Sequence, residues 1–343
     1  MPILSEVPEI RKDPAKVLIY GPSGTKKTLW AHRPSEHGYD VISINGERNY
    51  GILRILSPEA QKRVFLLNAF DEPDTSIFAP VVGELVKSSH IVWDDTAGKK
   101  AGIPPSPKHD HLVLRLNELT TNTVLVFETI TALVASVTLN LQKKLGIDPT
   151  EGEKASDTRG YYGGQNIILD RVLQFLTNLP CHVIVVAHSV LVEQKRKDLS
   201  DPKKDIITGY RTQPISSSVP HAQKIAKLFQ EVYYFNMLGT AYNIDTTTTS
   251  ERDGCSRIFP PNNYPFEKLQ FIDLIKTSKN LALPNPSIVD RGIQFIKAGE
   301  DMTGAFRANS TPAPVLDATK NDAPKPAVQA SGGAMAMLMG GKK

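Results

Sequence analysis

Three short runs of apolar, largely β-branched residues constrain this chain more than any other feature: Lys16–Tyr20, Thr123–Phe127 and His182–Ala187. None alternates apolar with polar, so both faces of each strand must be covered, as in a parallel sheet packed between helices. Tyr39–Ile44 and Arg63–Leu67 read the same way. Helical spacing lies between these runs: a short helix ending near Arg33, then Ser76–Ser89, His111–Leu119 and Gln165–Leu179. The last of these places Ile168, Val172, Phe175, Leu176 and Leu179 on one face. This alternation predicts an α/β fold, with a mainly parallel central sheet and helices on both faces.

The pattern divides the chain of 343 residues into a lead-in (1–13), one domain (14–298) and a tail (299–343). The tail is rich in Ala, Pro, Gly, Asn and Met without periodicity, so it is expected to be disordered. Residues 97–109 are rich in Gly, Pro and Lys and read as an exposed insertion. Residues 190–220 are polar and basic, 240–264 form a Thr/Asn/Pro-rich loop, and 224–236 and 268–276 read as strands or short helices. A net charge of +4 permits a local contact with nucleic acid without demanding one. Cys181 and Cys255 are expected to be reduced thiols. With no signal-like amino terminus and no long apolar stretch, the chain is expected to be soluble, cytoplasmic and without a membrane partner.

Chemistry is concentrated in Gly21-Pro22-Ser23-Gly24-Thr25-Lys26-Lys27-Thr28, which follows a strand and opens a helix. In that context successive backbone N–H groups gather around phosphate oxygens, and the helix amino end adds partial positive charge. Lys27 is then placed to reach the β- and γ-phosphates, and the Thr28 hydroxyl to ligate Mg²⁺. The usual pattern has glycine immediately before the lysine, where Lys26 stands. Its side chain either crowds the phosphate or adds charge to the pocket, which leaves hydrolysis less secure than binding.

In doubly wound sheets, ligands collect beyond the carboxyl ends of the strands. Glu128 ends Thr123–Phe127 and is a candidate to organise the metal; Glu47 follows Ile44 and is a candidate general base. Asp94 and Asp95, after Ile91–Trp93, are rivals to Glu128. His188 closes the strand from His182 and is either a sensor of the terminal phosphate or a packing residue. Lys195, Arg196, Lys197, Lys203, Lys204, Tyr210 and Arg211 suit a mobile loop gripping a nucleic-acid backbone, or a merely solvated surface. Lys276 and Lys279 follow a strand-like apolar run and are candidates to reach a neighbouring subunit's nucleotide. They read equally well as lysines in a surface turn.

Taken together, Val17–Thr28, Asn45–Glu47, Val124–Ala132, Arg159–Gly163 and Val183–His188 resemble the RecA-like AAA ATPases of bacteriophages. The likeness is nearest to the single-strand annealing recombinases known as the fourth Sak group. The resemblance implies a RecA-like P-loop NTPase core that binds ATP with Mg²⁺ and single-stranded DNA. It also implies rings or filaments of like subunits, a single-strand binding protein as a further partner, and annealing or strand exchange in phage recombination. Lys26 for glycine, Glu128 for aspartate, Thr129 for serine and the insertion at 97–109 depart from the family pattern. The departures keep two other readings open: a helicase loader or DNA-packaging ATPase, and a nucleotide-binding module without turnover.

Overall fold

Each of the five apolar runs becomes a strand of one sheet in the computed structural model, which describes residues 14–48, 50–88, 90–94, 111–145, 158–197, 205–277, 284 and 292–296. The lead-in, the insertion at 97–109, the tail, Asp95, Lys203, Lys204 and Lys279 lie outside the described residues.

The chain begins with β1 (Lys16–Gly21), α1 (Lys27–His32), a 3₁₀ turn over Arg33–His37, and β2 (Asp40–Asn45). Next come α2 (Pro58–Gln61), β3 (Val64–Asn68), α3 (Phe78–Ser88), β4 (His90–Asp94) and β5 (His111–Arg115). They are followed by β6 (Thr123–Glu128), α4 (Ile130–Leu145), α5 (Thr158–Asn178) and β7 (His182–Lys197). The remainder is β8 (Asp205–Pro214), α6 (Val219–Ile225), β9 (Glu231–Leu238), β10 (Ala241–Asp245), β11 (Asn263–Pro265), α7 (Phe271–Thr277) and β12 (Ile293–Ile296).

The main sheet has the order β11-β10-β9-β1-β7-β6-β2-β3, with β8 paired to β7 outside this path. Strands β9, β1, β7, β6, β2 and β3 are mutually parallel, whereas β10 and β11 are antiparallel additions. Alternation along the buried strands feeds two cores. Leu18, Tyr20, Leu125, Phe127, Val183 and Val185 face α3, α4 and α5. Val17, Ile19, Val124, Val126, Ile184 and Val186 face α1 and α7. Trp30 of α1 anchors the second core: it is fully buried, meets Tyr233, Phe235 and Phe271 edge-on, and donates its indole N–H to Leu269 O at 2.7 Å. An aromatic N–H buried with a partner brings packing without an unsatisfied donor.

Three expectations need correction. His111–Leu119 is not a helix: His111–Arg115 is the middle strand of a second sheet, β12-β5-β4, and a 3₁₀ turn spans Leu116–Glu118. Pairing on both sides satisfies the backbone of a run too short for its period to choose between helix and strand. The stretch after His188 is not a loop, because β7 continues unbroken to Lys197 and pairs antiparallel with β8. Both faces of that hairpin are largely polar, so no apolar alternation marks it. Residues 240–264 contain β10 and β11, recruited by register with β9. Of the two readings given for 268–276, the apolar run before Lys276 takes the helix, α7.

Candidate functional site

The loop between β1 and α1 lies at the carboxyl edge of the parallel strands, where the neighbouring strand ends also meet. Gly21 is required by space, since a Cβ there would stand 2.2 Å from the Phe235 carbonyl oxygen. Pro22, Ser23 and Gly24 are exposed, and a Cβ on Gly24 would meet nothing within 4 Å, so the loop's outer side is open. Thr25 and Lys27 are buried and Thr28 is half-buried. The Lys27 ammonium donates to Gly21 O at 2.8 Å, Pro22 O at 2.6 Å and Thr25 Oγ1 at 3.3 Å. Burial lowers its pKa to about 8, against the opposing pull of Glu47 and Glu128.

Lys26 adopts φ 64°, ψ 21°, the left-handed conformation that glycine enters freely. Its side chain leaves the loop: the ammonium sits 4.0 Å from the centroid of the Tyr242 ring and 5.5 Å from that of Phe266. It therefore does not fill the concave side of the loop, which removes the crowding that the sequence allowed.

The register of the sheet brings the other candidates to the same edge. Gly21 is level with His188, and Asn45 is level with Glu128. Gly46 admits no side chain, because a Cβ would lie 2.5 Å from the Phe78 ring and 2.9 Å from Ala132 Cβ. That close approach turns the chain so that Asn45 Oδ1 accepts from Glu47 N at 2.9 Å. The Glu47 carboxylate accepts from Thr129 Oγ1 at 2.5 Å, and His188 Nε2 straddles its two oxygens at 3.2 Å each. Burial alone would raise the Glu47 pKa, but these two hydrogen bonds and the charge of Lys27 hold it below the ordinary carboxylate value. Glu47 is ionised at neutral pH. His188 is held in turn by its backbone N–H, which donates to Thr131 Oγ1 at 3.1 Å.

Glu128 behaves differently. Burial raises its carboxyl to about pKa 7, Thr28 stands close enough to lower it by hydrogen bonding, and Glu47 pushes it up again. Its Oε1 is buried with no hydrogen-bond partner among the described residues. Such an atom costs about 1–3 kcal/mol unless something else meets it. Among the described residues no cluster of three or more His, Cys, Asp or Glu is arranged to hold a metal alone. An oxygen-lined position beside Thr28 suits a hard cation that takes one or two protein ligands and the rest from phosphates, which is the habit of Mg²⁺.

Not every candidate converges here. Asp94 ends β4, in the small sheet and not in the sheet that carries the loop. Lys276 is exposed at the end of α7, which packs against the turn at 33–37 where the parallel strands begin, at the opposite edge. On the hairpin, Lys195 pairs with Glu193 at 2.9 Å and Lys197 with Asp205 at 2.8 Å, while Arg211 pairs with Asp253. Tyr210 and Arg196 are exposed. Thr129 and Thr131, which position Glu47 and His188, stand out in the sequence as the residues following Glu128, with Thr129 in place of serine, but without a role of their own. Their spacing of two after an acid-ended strand was the available signal.

A family model described as an AAA domain matches residues 13–258, a span that holds the loop, both carboxylates and His188. The chain belongs to the AAA domain family. With the parallel sheet and the loop at its carboxyl edge, this AAA domain has the α/β P-loop NTPase fold. No curated protein matches it significantly. Two solved structures are similar to it: an ATPase from the type III secretion system of pathogenic bacteria, and the assembled ATPase EscN from the type III secretion system of enteropathogenic E. coli. The first is 9% identical with a TM-score of 0.35, over 65% of this chain and 52% of that one. The second is 11% identical with a TM-score of 0.34, over 65% of this chain and 43% of that one. The AAA domain chain thus spans about half the length of those relatives, and likeness at this level does not extend to activity or assembly. Among its described residues no helix is long and apolar enough to cross a membrane.

Proposed function

We propose that this AAA domain protein binds ATP on Gly21–Thr28, hydrolyses it, and couples turnover to single-stranded DNA in recombination or annealing. The reading rests on one observation: Lys27, Thr28, Glu128, Glu47 and His188, from four separate strand ends, meet at one edge of the sheet. Lys27 neutralises the β- and γ-phosphates, exchanging bonds to its own loop carbonyls for bonds to phosphate oxygens. Glu47, ionised and oriented by Thr129 and His188, accepts a proton from the attacking water. Thr28 and Glu128 would hold Mg²⁺, which when bound supplies positive charge against the developing phosphate charge. His188, bonded to Glu47 and lying in the strand that continues into the hairpin, connects the state of the phosphate site to that hairpin.

The exposed Tyr210 and Arg196 at the hairpin support contact with a nucleic-acid strand by stacking and charge. The ion pairs of Lys195, Lys197 and Arg211 take part of the charge out of that role. Assembly into rings or filaments of like subunits, with Lys276 and Lys279 acting across an interface, a single-strand binding protein as partner and a phage setting belong to the same proposal. The test is ATP turnover with and without single-stranded DNA, followed by annealing of complementary strands. DNA-stimulated turnover with accelerated pairing is expected, and Lys27→Ala removes both. Turnover indifferent to DNA refutes the nucleic-acid part. ATP binding retained by Lys27→Ala refutes the site.

A further inference from the structure

We propose that the ring of Tyr242 is the platform on which the nucleobase of the bound nucleotide stacks, and that Lys26 guards this platform. The proposal rests on the phosphate-loop reading above. The reacting end of a triphosphate is fixed by Glu47, His188 and Glu128, on β2, β7 and β6. Since β1 has β7 on one side and β9 on the other, a nucleotide laid along the loop sends its other end towards β9 and β10.

An apolar shelf stands there. Strand β9 runs past the end of β1, and its alternation puts Tyr233, Phe235 and Met237 on one face. Tyr233 and Phe235 pack on Trp30 in the core, whereas Met237 lies beyond it and is 55% exposed. Tyr242 is opposite Met237 in the β9–β10 register, so the two side chains share that face. The shelf touches the loop through Lys26, whose ammonium covers the Tyr242 ring at 4.0 Å. The left-handed backbone of Lys26 aims its side chain in this direction and not over the phosphates.

A half-buried tyrosine beside an exposed methionine offers what a nucleobase requires, a flat π face and a polarisable apolar edge. The ammonium now on the ring gains a stronger, charge-assisted partner once phosphate enters the loop. Its departure leaves the ring face to the base.

The experiment compares calorimetric binding of ATP with that of inorganic tripolyphosphate, which has the phosphates without the base. Tyr242→Ala is expected to weaken ATP binding by roughly tenfold, the usual size for loss of one base–aromatic stack. Tripolyphosphate affinity stays as in the wild type, and Tyr242→Phe retains both. Unchanged ATP affinity, or equal weakening of both ligands, overturns the proposal. If Tyr242→Ala does not fold, Met237→Ser at the exposed neighbour, which adds no charge, decides by the same selective loss. Lys27→Ala is the control that loses both ligands. A wild-type protein that binds neither sinks the phosphate-loop reading and this one with it. Loss of the shelf effect alone leaves the loop standing.

Discussion

Lys26 offers a sharp test of the loop geometry, because its backbone and its side chain make opposite demands. At φ 64° a residue with a Cβ carries roughly 1–2 kcal/mol of steric cost that glycine escapes. Glycine gives back about 0.5–1 kcal/mol through the extra freedom of its unfolded chain. The ammonium over Tyr242 stabilises by about 0.5–1 kcal/mol at a half-exposed position. Lys26→Gly therefore loses the ring contact and sheds the strain, with a net change near zero. Lys26→Ala loses the contact and keeps the strain. The glycine variant should exceed the alanine variant by about 1 kcal/mol, the reverse of their ordinary order in a helix. Urea denaturation midpoints at constant m-value measure the difference. An alanine variant as stable as the glycine variant would falsify the left-handed assignment.

Other outcomes are as specific. Glu47→Gln keeps ATP affinity and lowers kcat by roughly 10²–10⁴, the range for loss of a general base; a rate within tenfold of wild type removes Glu47 from that role. Trp30→Ala costs about 3–5 kcal/mol because it empties the centre of the second core; a loss below 1 kcal/mol contradicts the packing described. Acid stability follows from two buried histidines. Burial lowers His32 from 6.5 to about 4, and lowers His182 from 6.5 to about 3 with help from Lys16. Both folded pKa values lie below the unfolded one, so their stabilisation is complete above pH 6.5 and is lost as pH falls towards 4. The slope is about 1.4 kcal/mol per pH unit for each histidine. Glu128, raised to about 7, titrates in the opposite sense and offsets about one histidine over this interval. His32→Asn should therefore remove most of the net loss between pH 6 and 5, and an unchanged slope refutes the burial argument.

The sequence made the buried half of this molecule legible and the exposed half opaque, for a physical reason. Strands such as β1, β6 and β7 up to Ala187 are covered on both faces, so their composition alone sets them apart. Gly21–Thr28 and the acid-ended strands stood out because a turn between a buried strand and a helix, and acids closing apolar strands, carry residue types at fixed spacing. The hairpin of β7 and β8 is solvated on much of its surface and held by its backbone ladder, which is blind to side-chain identity. β5 and β10 were missed because each is stabilised by a partner strand and not by its own pattern. Tyr242 was missed because nothing along the chain says that position 242 comes to rest beside position 26. Lys26 itself stood out only as a missing glycine. The conformation explains why glycine is usual there, and the aromatic neighbours explain where a lysine can go.

Strand β7 passes from the centre of the sheet out to Lys197, with a shift of register against β8 between Gln194 and Lys195, and His188 sits partway along it. Lys197 lies nine residue steps beyond His188, which at about 3.3 Å each puts it roughly 30 Å away. A pivot of about 5° at the histidine would sweep that end of the strand through some 2.6 Å, roughly half a strand spacing. The coupling proposed for His188 would thus work as a lever, with its fulcrum at the histidine.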